Sequence, residues 1–382
     1  MAQNILKGGE FLVAETPCND VFSPEDFTDE QRQMGETVEQ FINTEIVPKI
    51  EEIDKQNFDL VVEGMKKCGE LGLLMMDAPE EFGGLELDKA STMLVSEKMS
   101  YGGSFSVAYS AHSGIGTLPL IYYGTPEQKE KYLGKITSGE WCAAYCLTEP
   151  GSGSDALGAQ ATAVLSEDGK HYILNGTKQF ITNGGFAELY TVFAKIDKQH
   201  FTAFLVEKSF PGLIVGAEEK KLGIKGSSTT QIILDNCQVP VENLLGEKGK
   251  GHKIAFNVLN IGRFKLGAGV CGASKMALAA GIKYANERKQ FNTPISRFGA
   301  IGEKIADLTA NIYASESLVY RLAGLLDTKL ATIDKGVDNY YEEYLKGIEE
   351  YAPECGIAKV FCSEVLARTV DEVLQIHGGY GF

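Results

Sequence analysis

The spacing of apolar residues divides the chain into three parts. In the first part apolar positions recur every three or four residues, which is the period of an amphipathic helix. Thr28 can cap the first of these helices, and Thr125, followed by Pro126, can cap another. From about Gly249 the helical period returns and continues to the end, so helices are expected in both outer parts. In the first part the pattern also predicts helices over residues 59–74, 88–99 and 101–123.

The middle part has the alternating pattern of β-strands. From about Trp141 apolar and polar residues alternate in short runs, and turn residues separate these runs. Asn175-Gly176 is a pair typical of tight two-residue turns, so we expect a hairpin there. The runs predict strands at residues 161–164, 171–174, 190–195, 202–207 and 231–234.

The order helices, strands, helices predicts segregated layers instead of alternating βαβ units. We therefore expect an α+β protein that is mainly α, with an arm at residues 1–27 and an N-terminal helical domain at 28–140. A small β-sandwich or barrel would follow at 141–248, and a helical bundle at 249–382. Within the bundle, a charged and tyrosine-rich segment around 328–353 differs from its neighbours, and we interpret it as a surface helix pair.

The chain is long and acidic, which limits the classes of function. With 382 residues, of which 44% are hydrophobic, it can bury a large core in two or three domains. Its formal net charge is -16, and an acidic chain repels nucleic acid and anionic membrane surfaces, so neither is an expected partner. No apolar run reaches the length of about 18 residues that a membrane-spanning helix needs.

Eight cysteines are scattered along the chain, without a CxxC pair or a histidine at zinc-ligand spacing. We therefore expect no metal site, and free, mostly buried thiols in a reducing compartment. The N-terminus lacks a cationic stretch before an apolar run, and the first arginine is Arg32. These features favour a bacterial cytoplasm over the mitochondrial matrix.

Two segments of the middle part carry residues that could line a flat polar ring. Tyr145 and Thr148 stand at the end of a predicted strand, and glycines before Ser154 let the backbone pass close to a ligand. Phe180 and Thr182 are two residues apart, so they share one face of a strand. Taken alone, Phe180 is more often a core residue, and the first segment is a strand followed by a surface turn.

Two segments of the last part carry residues suited to a phosphate. Arg288 offers a guanidinium fork for a phosphate or pyrophosphate, with Gln290 and Phe291 beside it. Gln375 offers an amide, and Gly379 with its neighbouring glycine allows close approach of a backbone. Taken alone, Arg288 is more often a solvated charge on a helix.

Together these segments resemble the acyl-CoA dehydrogenase flavoproteins, in a match that runs from about Phe27 to Phe382. The residues Ala-His-Ser-Gly-Ile-Gly at 111–116 and Leu-Asn-Ile-Gly-Arg-Phe at 259–264 look closest to the very-long-chain branch. The resemblance implies FAD as cofactor and α,β-dehydrogenation of long-chain acyl-CoA to trans-2-enoyl-CoA in fatty-acid β-oxidation. It also implies electron transfer to an electron-transferring flavoprotein, and a homodimer or homotetramer. Against the family pattern, the segment around 328–353 is an insertion.

The resemblance implies a role for each candidate residue of the middle part. Tyr145 and Thr148 would line the flavin, with Thr148 bonding the pyrimidine edge of the ring. Phe180 would pack on the isoalloxazine, where the family often has Trp, and Thr182 would bond near N5. Ser154 would lie where the flavin and the CoA arm meet.

The other candidates would bind the rest of FAD and the substrate. Asn260 and Arg263 would lie near the CoA or thioester end of the substrate. An oligomer would form part of the cofactor site, because the residues for the FAD pyrophosphate and adenosine would act across a subunit boundary. These residues are Arg288, Gln290, Phe291, Gln375 and Gly379.

The implied reaction needs a carboxylate with a raised pKa beside the α carbon of the substrate. The family places this glutamate at one of two positions, and one of them is Gly262 here. The other follows the Gly-Gly-x-Gly-Phe motif, which ends at Phe382. We therefore expect the base beyond Phe382, a bundle that is incomplete at its end, and a truncated chain that is inactive by itself.

Two other functions are compatible with these residues. An acyl-CoA oxidase or a flavin monooxygenase on the same fold would use O₂, and its reduced form would reoxidise rapidly in air. A scaffold or acyl-CoA-binding protein that lacks the base would bind FAD or acyl-CoA without turnover, even in its longest native form.

Overall fold

The computed structural model describes residues 5–337 and 339–382. Helices fill the part of the chain before the first strand, and two of them begin at the predicted caps. Thr28 Oγ1 accepts a hydrogen bond from the Gln31 amide at 3.2 Å, and Thr125 Oγ1 accepts one from the Gln128 amide at 3.3 Å. The α-helices of this part are α1 (Asp29–Phe41), α2 (Ile50–Asp54), α3 (Phe58–Glu70), α4 (Lys89–Met99), α5 (Ser104–Ala111), α6 (Leu118–Tyr123) and α7 (Pro126–Thr137).

Two π-helical turns interrupt this helical part. They lie at Ile42–Ile46, directly after α1, and at His112–Gly116, between α5 and α6. The second turn contains Gly114, whose φ of -97° and ψ of -105° are not helical. The single helix predicted over residues 101–123 is therefore wrong, because the π turn divides it into two short helices.

The middle part forms one sheet. Its strands are β1 (Ala143–Cys146), β2 (Thr162–Leu165), β3 (His171–Thr182), β4 (Leu189–Ile196), β5 (His200–Glu207), β6 (Leu213–Glu218), β7 (Thr229–Pro240) and β8 (Leu244–Leu245). The hydrogen-bonded order is β6-β7-β3-β2-β4-β5-β8, and β1 pairs in parallel with β4. The long strands β3 and β7 are antiparallel neighbours, so the end of β3 lies beside the start of β7.

The hairpin predicted at Asn175-Gly176 is wrong, because both residues lie inside β3. The pairing of β3 with β7 shifts register between Leu174 and Gly176, and the Asn175 side chain accepts a hydrogen bond from the Asn236 amide at 2.9 Å. A Cβ on Gly176 would lie 2.8 Å from the Ala161 Cβ. The pair marks a β-bulge with close packing of the backbone, which favours the same residue types as a tight turn.

The last part is helical, with a short hairpin after its first helix. The elements are α8 (Gly251–Glu287), β9 (Lys289–Gln290), β10 (Thr293–Pro294), α9 (Gly299–Leu330), α10 (Tyr340–Glu350) and α11 (Ala352–His377). The segment interpreted as a surface helix pair contains one α-helix among its described residues, and Asp338 lies outside them. In that helix, α10, Leu345 and Ile348 are buried, so one of its faces belongs to the core.

The chain divides into two compact units. One consists of the described residues up to Ile42 with residues 88–101 and 263–382; within it α1 packs on α4, and α4, α10 and α11 pack on α9. The other consists of residues 43–87 and 102–262, and one face of the sheet forms a hydrophobic core there. No helix in the described part of the chain has the length and apolarity that crossing a membrane requires.

The N-terminal arm lies on helices of its own unit. The Gly9 amide donates to Glu354 Oε1 at 2.5 Å on α11, and the Phe27 ring meets the Tyr320 ring of α9 edge-on, with centroids 4.8 Å apart. The arm predicted at residues 1–27 is thus held against the bundle, and its first four residues lie outside the described part. The domain boundaries predicted from the sequence stay a prediction.

Candidate functional site

Three predicted residues form a surface at the end of β3. Phe180 and Thr182 lie two positions apart on this strand. The backbone amide of Gln179, also on β3, donates a hydrogen bond to the Thr148 carbonyl at 2.8 Å and so links β3 to the segment after β1. The side chain of Phe180 is 60% exposed, whereas those of Thr148 and Thr182 are partly buried. We call these three residues the Phe180 surface. It presents the Phe180 ring to solvent, and it includes the hydroxyl groups of Thr148, earlier in the chain, and of Thr182, later in the chain.

The backbone of Phe180 is strained. Its φ is +57°, in the left-handed region, and the pairing of β3 with β7 is irregular between Lys178 and Ile181. A bulky residue seldom adopts this conformation, and the strain costs about 1–3 kcal/mol. Lys178 and Ile181 are both buried, so the strand turns outward at Phe180 between two anchored positions. An exposed aromatic ring in a strained conformation indicates a binding role.

Tyr145 lies in β1 and is largely buried, with 8% of its side chain exposed. Its hydroxyl donates to the Ala255 carbonyl of α8 at 3.3 Å, and its ring meets Phe193 edge-on at 5.2 Å. Burial raises the pKa of Tyr145 well above its usual value, so the hydroxyl stays protonated. Tyr145 is therefore fixed against α8 and Phe193, and its contact with a flavin stays a prediction.

Ser154 lies in an exposed turn after β1. Glu149 and Ser152 exchange backbone hydrogen bonds of 3.0 Å across this turn, and the Ser152 hydroxyl donates to the Asp155 carbonyl at 2.6 Å. A Cβ added to either Gly151 or Gly153 would meet no atom within 4 Å. The turn therefore leaves room beside its backbone for an extended ligand.

A buried ion pair that the sequence reasoning missed joins the two segments of the Phe180 surface. Lys178 Nζ lies 2.7 Å from Glu149 Oε1, and Lys178 is completely buried. Burial acts to raise the pKa of Glu149, but its bonds to Lys178 and to the amides of Gln160 and Ala161 outweigh burial, so this pKa lies below its usual value. One sequence signal could have revealed the pair: Lys178 stands at a position where the alternation of the strand predicts a buried residue.

A concave surface lies in the other unit, where the end of α8 meets the end of α11. Its volume is about 420 Å³, and we call it the Arg288 pocket. Arg288 is exposed, and its guanidinium lies 5.6 Å from the centre of the Tyr380 ring. The lining residues that bear on binding are Tyr284, Arg288, Gln290, His377, Gly379 and Tyr380.

Of the five residues predicted for the FAD pyrophosphate and adenosine, three line the Arg288 pocket: Arg288, Gln290 and Gly379. Gln375 is exposed in the last turn of α11, and its carbonyl accepts the Gly378 amide that ends the helix. Phe291 does not line the pocket; its side chain is 90% exposed, and its φ is +50°. The fold thus places Gln375 and Gly379 at the end of α11, and Arg288 and Gln290 directly after α8. Phe291 follows Gln290 in the chain and is exposed to solvent.

Aromatic residues that the sequence reasoning did not select form walls of the Arg288 pocket. The His377 ring stacks on the Tyr284 ring, with centroids 4.2 Å apart and planes inclined by 23°. His377 Nδ1 donates to the Val373 carbonyl at 2.8 Å, which fixes the orientation of the ring. Together with Tyr380 these rings offer apolar faces to a planar base.

The substrate candidates Asn260 and Arg263 lie on α8, three positions apart, and therefore on one face of the helix. Asn260 is buried, whereas Arg263 is exposed. Gly262 lies between them, and a Cβ there would be 3.3 Å from Ile115 Cγ2 of the π turn. This position supplies close packing and no carboxylate.

The two surfaces suit different halves of a flavin dinucleotide. A flavin ring needs an apolar platform with hydrogen-bonding groups at its edge, which Phe180, Thr148 and Thr182 provide. A diphosphate with an adenine base needs a cation, open backbone and apolar walls, which Arg288, Gly379 and the aromatic rings of the pocket provide. A Cβ on Gly379 would meet no atom within 4 Å, so the backbone there is open to a ligand. The residues present therefore fit FAD.

Comparison with known proteins agrees with this fit. Models of the acyl-CoA dehydrogenase N-terminal, middle and C-terminal domains match residues 28–140, 144–237 and 249–382. A crystal structure of an acyl-CoA dehydrogenase complexed with FAD, from Bacillus anthracis, superposes with a TM-score of 0.97 and 52% identity, over 99% of this chain and 65% of that one.

Among curated relatives, a probable acyl-CoA dehydrogenase of Bacillus subtilis is 53% identical over 381 residues, which is 64% of its own length. A second acyl-CoA dehydrogenase of the same organism is 38% identical over 93% of this chain and 89% of its own length. The very long-chain specific enzyme of Mus musculus is 40% identical over 85% of this chain and 48% of its own length. The family models and these identities agree, and the chain belongs to the acyl-CoA dehydrogenase family.

Proposed function

We propose that this chain is an FAD-dependent acyl-CoA dehydrogenase, which converts an acyl-CoA to the trans-2-enoyl-CoA. The observation that carries the proposal is Phe180, an exposed aromatic ring held in a strained conformation in a chain of this family. The relative from Bacillus anthracis contains FAD, which supports the predicted cofactor.

The residues of the Phe180 surface would hold the flavin ring. FAD, when bound, supplies the acceptor for the hydride that leaves the β carbon of the substrate. Phe180 would stack on the ring, and Thr182 would donate to it near N5. The carbonyl of Thr148 is already bonded to the Gln179 amide, so its hydroxyl is the group that would reach the pyrimidine edge.

The residues of the Arg288 pocket would hold the pyrophosphate and adenosine. Arg288 would pair with the phosphates, Gln290 and Gln375 would bond to polar atoms, and the backbone at Gly379 would approach the ligand closely. Phe291, being almost fully exposed, would pack on a second subunit or on the adenosine. We propose a homodimer or homotetramer in which this pocket serves the partner's FAD.

The substrate would lie along the α8 face that carries Asn260 and Arg263, with its CoA arm at Ser154. Position 262, one of the family's two positions for the base, is glycine here and supplies no carboxylate. The base of the proposed reaction would take the α proton while hydrogen bonds stabilise the thioester oxygen. The comparisons give no support for the expectation of a truncated, inactive chain.

The wider role is inferred from the relatives. Similarity to a very long-chain enzyme supports long acyl chains and fatty-acid β-oxidation, and an electron-transferring flavoprotein would take the electrons. Bacterial relatives and free thiols support a bacterial cytoplasm as the location.

The test is direct. Purified protein should be yellow and release FAD on denaturation, with about one FAD per chain after reconstitution. Addition of palmitoyl-CoA under anaerobic conditions should reduce the flavin and bleach its absorption, whereas a shifted spectrum without bleaching would favour an acyl-CoA-binding protein that lacks the base. A colourless protein that does not take up FAD would refute the proposal, and rapid reoxidation of a reduced form in air would instead favour an oxidase.

A further inference from the structure

The ion pair between Lys178 and Glu149 is removed from solvent on both sides. The side chain of Lys178 has no exposed surface, and that of Glu149 is 6% exposed. Besides the pair itself, at 2.7 Å, Lys178 Nζ donates to the Leu147 carbonyl at 3.3 Å. Glu149 Oε2 accepts the Gln160 amide at 2.6 Å, and Oε1 accepts the Ala161 amide at 3.0 Å. The pair thus ties three backbone segments to one point.

Burying an ion pair at such a position costs free energy of desolvation. Taking two charges out of water costs several kcal/mol per ion, and well-packed apolar residues of similar volume are often as stable or more stable. The neighbouring core positions of the sheet are apolar, among them Cys146, Leu174 and Ile232. Stability alone therefore gives little reason for a lysine here, which directs attention to what the pair positions.

The pair lies where the two segments of the Phe180 surface meet. On one side it holds Leu147 and Glu149, which flank Thr148; on the other it holds Lys178, two residues before Phe180. The irregular pairing of β3 begins directly after Lys178, and the strained outward turn at Phe180 follows. A strained conformation persists only where its surroundings fix it, and Lys178 is the buried anchor on the N-terminal side of this turn.

We propose that the Lys178–Glu149 pair positions Thr148 and Phe180 for the flavin ring. Both are positioning residues, since neither would touch the cofactor and each acts through its sequence neighbours. The inference rests on the proposed function, because it requires the Phe180 surface to bind FAD. It predicts that removal of the pair changes FAD binding in protein that is still folded.

The test uses the double variant Glu149→Gln/Lys178→Met, which removes both charges and leaves none of them unpaired. We expect a folded protein by circular dichroism, a dissociation constant for FAD raised at least tenfold, and a changed circular dichroism of the bound flavin. The variant Glu149→Gln/Lys178→Gln, which can restore a neutral hydrogen bond between the two side chains, should recover part of the affinity. All titrations are made well below the melting temperature of each protein.

A control removes another ion pair, a more exposed one, from the same unit. Lys131 Nζ lies 2.9 Å from Glu207 Oε1; the side chain of Glu207 is 16% exposed and that of Lys131 52%. The variant Glu207→Gln/Lys131→Met should bind FAD within about twofold of the unchanged protein. A similar loss of affinity in this control would show that any loss of an ion pair has this effect, and would overturn the inference.

The outcomes separate the inference from the proposed function. Unchanged protein that binds no FAD refutes the proposed function. If unchanged protein binds FAD and the Gln/Met variant binds it equally well with the same flavin spectrum, the pair is only structural and the inference fails. If the Gln/Met variant does not fold, the Gln/Gln variant decides: reduced affinity in folded protein supports positioning, and unchanged affinity refutes it.

Discussion

Replacement of Phe180 by glycine should leave the protein without FAD more stable than replacement by alanine does, and both changes should weaken the binding of FAD. The φ of Phe180 is +57°, a value that glycine adopts freely and phenylalanine does not. Relief of strain is worth about 1–3 kcal/mol, and the greater freedom of glycine in the unfolded chain opposes it by about 0.5–1 kcal/mol. Loss of the ring's covered surface costs about 2 kcal/mol as well, but alanine loses the same surface and keeps the strain. Phe180→Gly should therefore be more stable than Phe180→Ala by about 1 kcal/mol in the absence of cofactor.

The loss of affinity follows from the exposed surface of the ring. A phenylalanine side chain has about 200 Å² of surface, of which 60% is exposed here. If a flavin covers about half of that exposed surface, at about 25 cal/mol per Å², the contact contributes ~1.5 kcal/mol. The dissociation constant for FAD should then rise about tenfold in Phe180→Gly.

Urea denaturation followed by the fluorescence of Trp141 is the suitable assay, because Trp141 is the single tryptophan and belongs to the same unit as Phe180. Thermal melting is less sensitive, since 1 kcal/mol shifts the melting temperature of a chain this long by only about 1 °C. Val164→Ala serves as control, because Val164 is 58% exposed on β2 of the same unit. The reasoning is refuted if Phe180→Gly is no more stable than Phe180→Ala, or if it binds FAD as tightly as the unchanged protein.

Three further predictions concern other parts of the molecule. Arg288→Ala should lower FAD retention and oligomer content together, measured by released FAD and by size-exclusion chromatography, whereas Arg297→Ala, at an exposed position nearby in sequence, should change neither. Burial lowers the pKa of His112 to about 4, below its value of ~6.5 in an unfolded chain, so stability that is present above pH 6.5 should be lost as the pH falls to about 4, by ~3 kcal/mol. His112→Gln should flatten that dependence in urea titrations, and an equally steep loss in the variant would exclude His112 as its cause. Gly176→Val should cost at least ~2 kcal/mol, since its Cβ would meet Ala161, and unchanged stability would show that the bulge has room.

Features that depend on neighbouring residues could be predicted from the sequence. The caps at Thr28 and Thr125 involve the residue and an amide three positions later, so the local pattern contains all the information. The alternating runs likewise identify β2, β3, β4, β5 and β7, although they underestimate the lengths of β3 and β7 and include no run for β6 or β8. The local pattern misleads where a residue remote in sequence determines the conformation. At Asn175-Gly176, pairing with β7 keeps the strand extended.

The candidate site shows the same division. Solvent-exposed residues such as Phe180 and Arg288 could be selected from short motifs, because the residue type and its immediate neighbours in sequence were enough to suggest a binding role. The supporting groups could not: Glu149 and Lys178 are 29 positions apart, and Tyr284 and His377 are 93 apart. Only the fold brings each pair together, and without an observed register no spacing rule identifies them.

Two aromatic residues contradict local preferences in the same manner, one in each unit. Among the non-glycine residues of the described chain with a left-handed φ, Phe180 and Phe291 are aromatic, and both are largely exposed. Each conformation costs free energy and places an apolar ring in water, so neither is favoured by the folding of the chain alone. When another molecule covers the ring, the cost of its exposure is removed, and the free energy of binding can offset the strain. The sequence motifs selected these two residues on chemical grounds, and the backbone adds an independent physical argument for the same prediction: such strain is expected where binding, and not folding, uses a side chain.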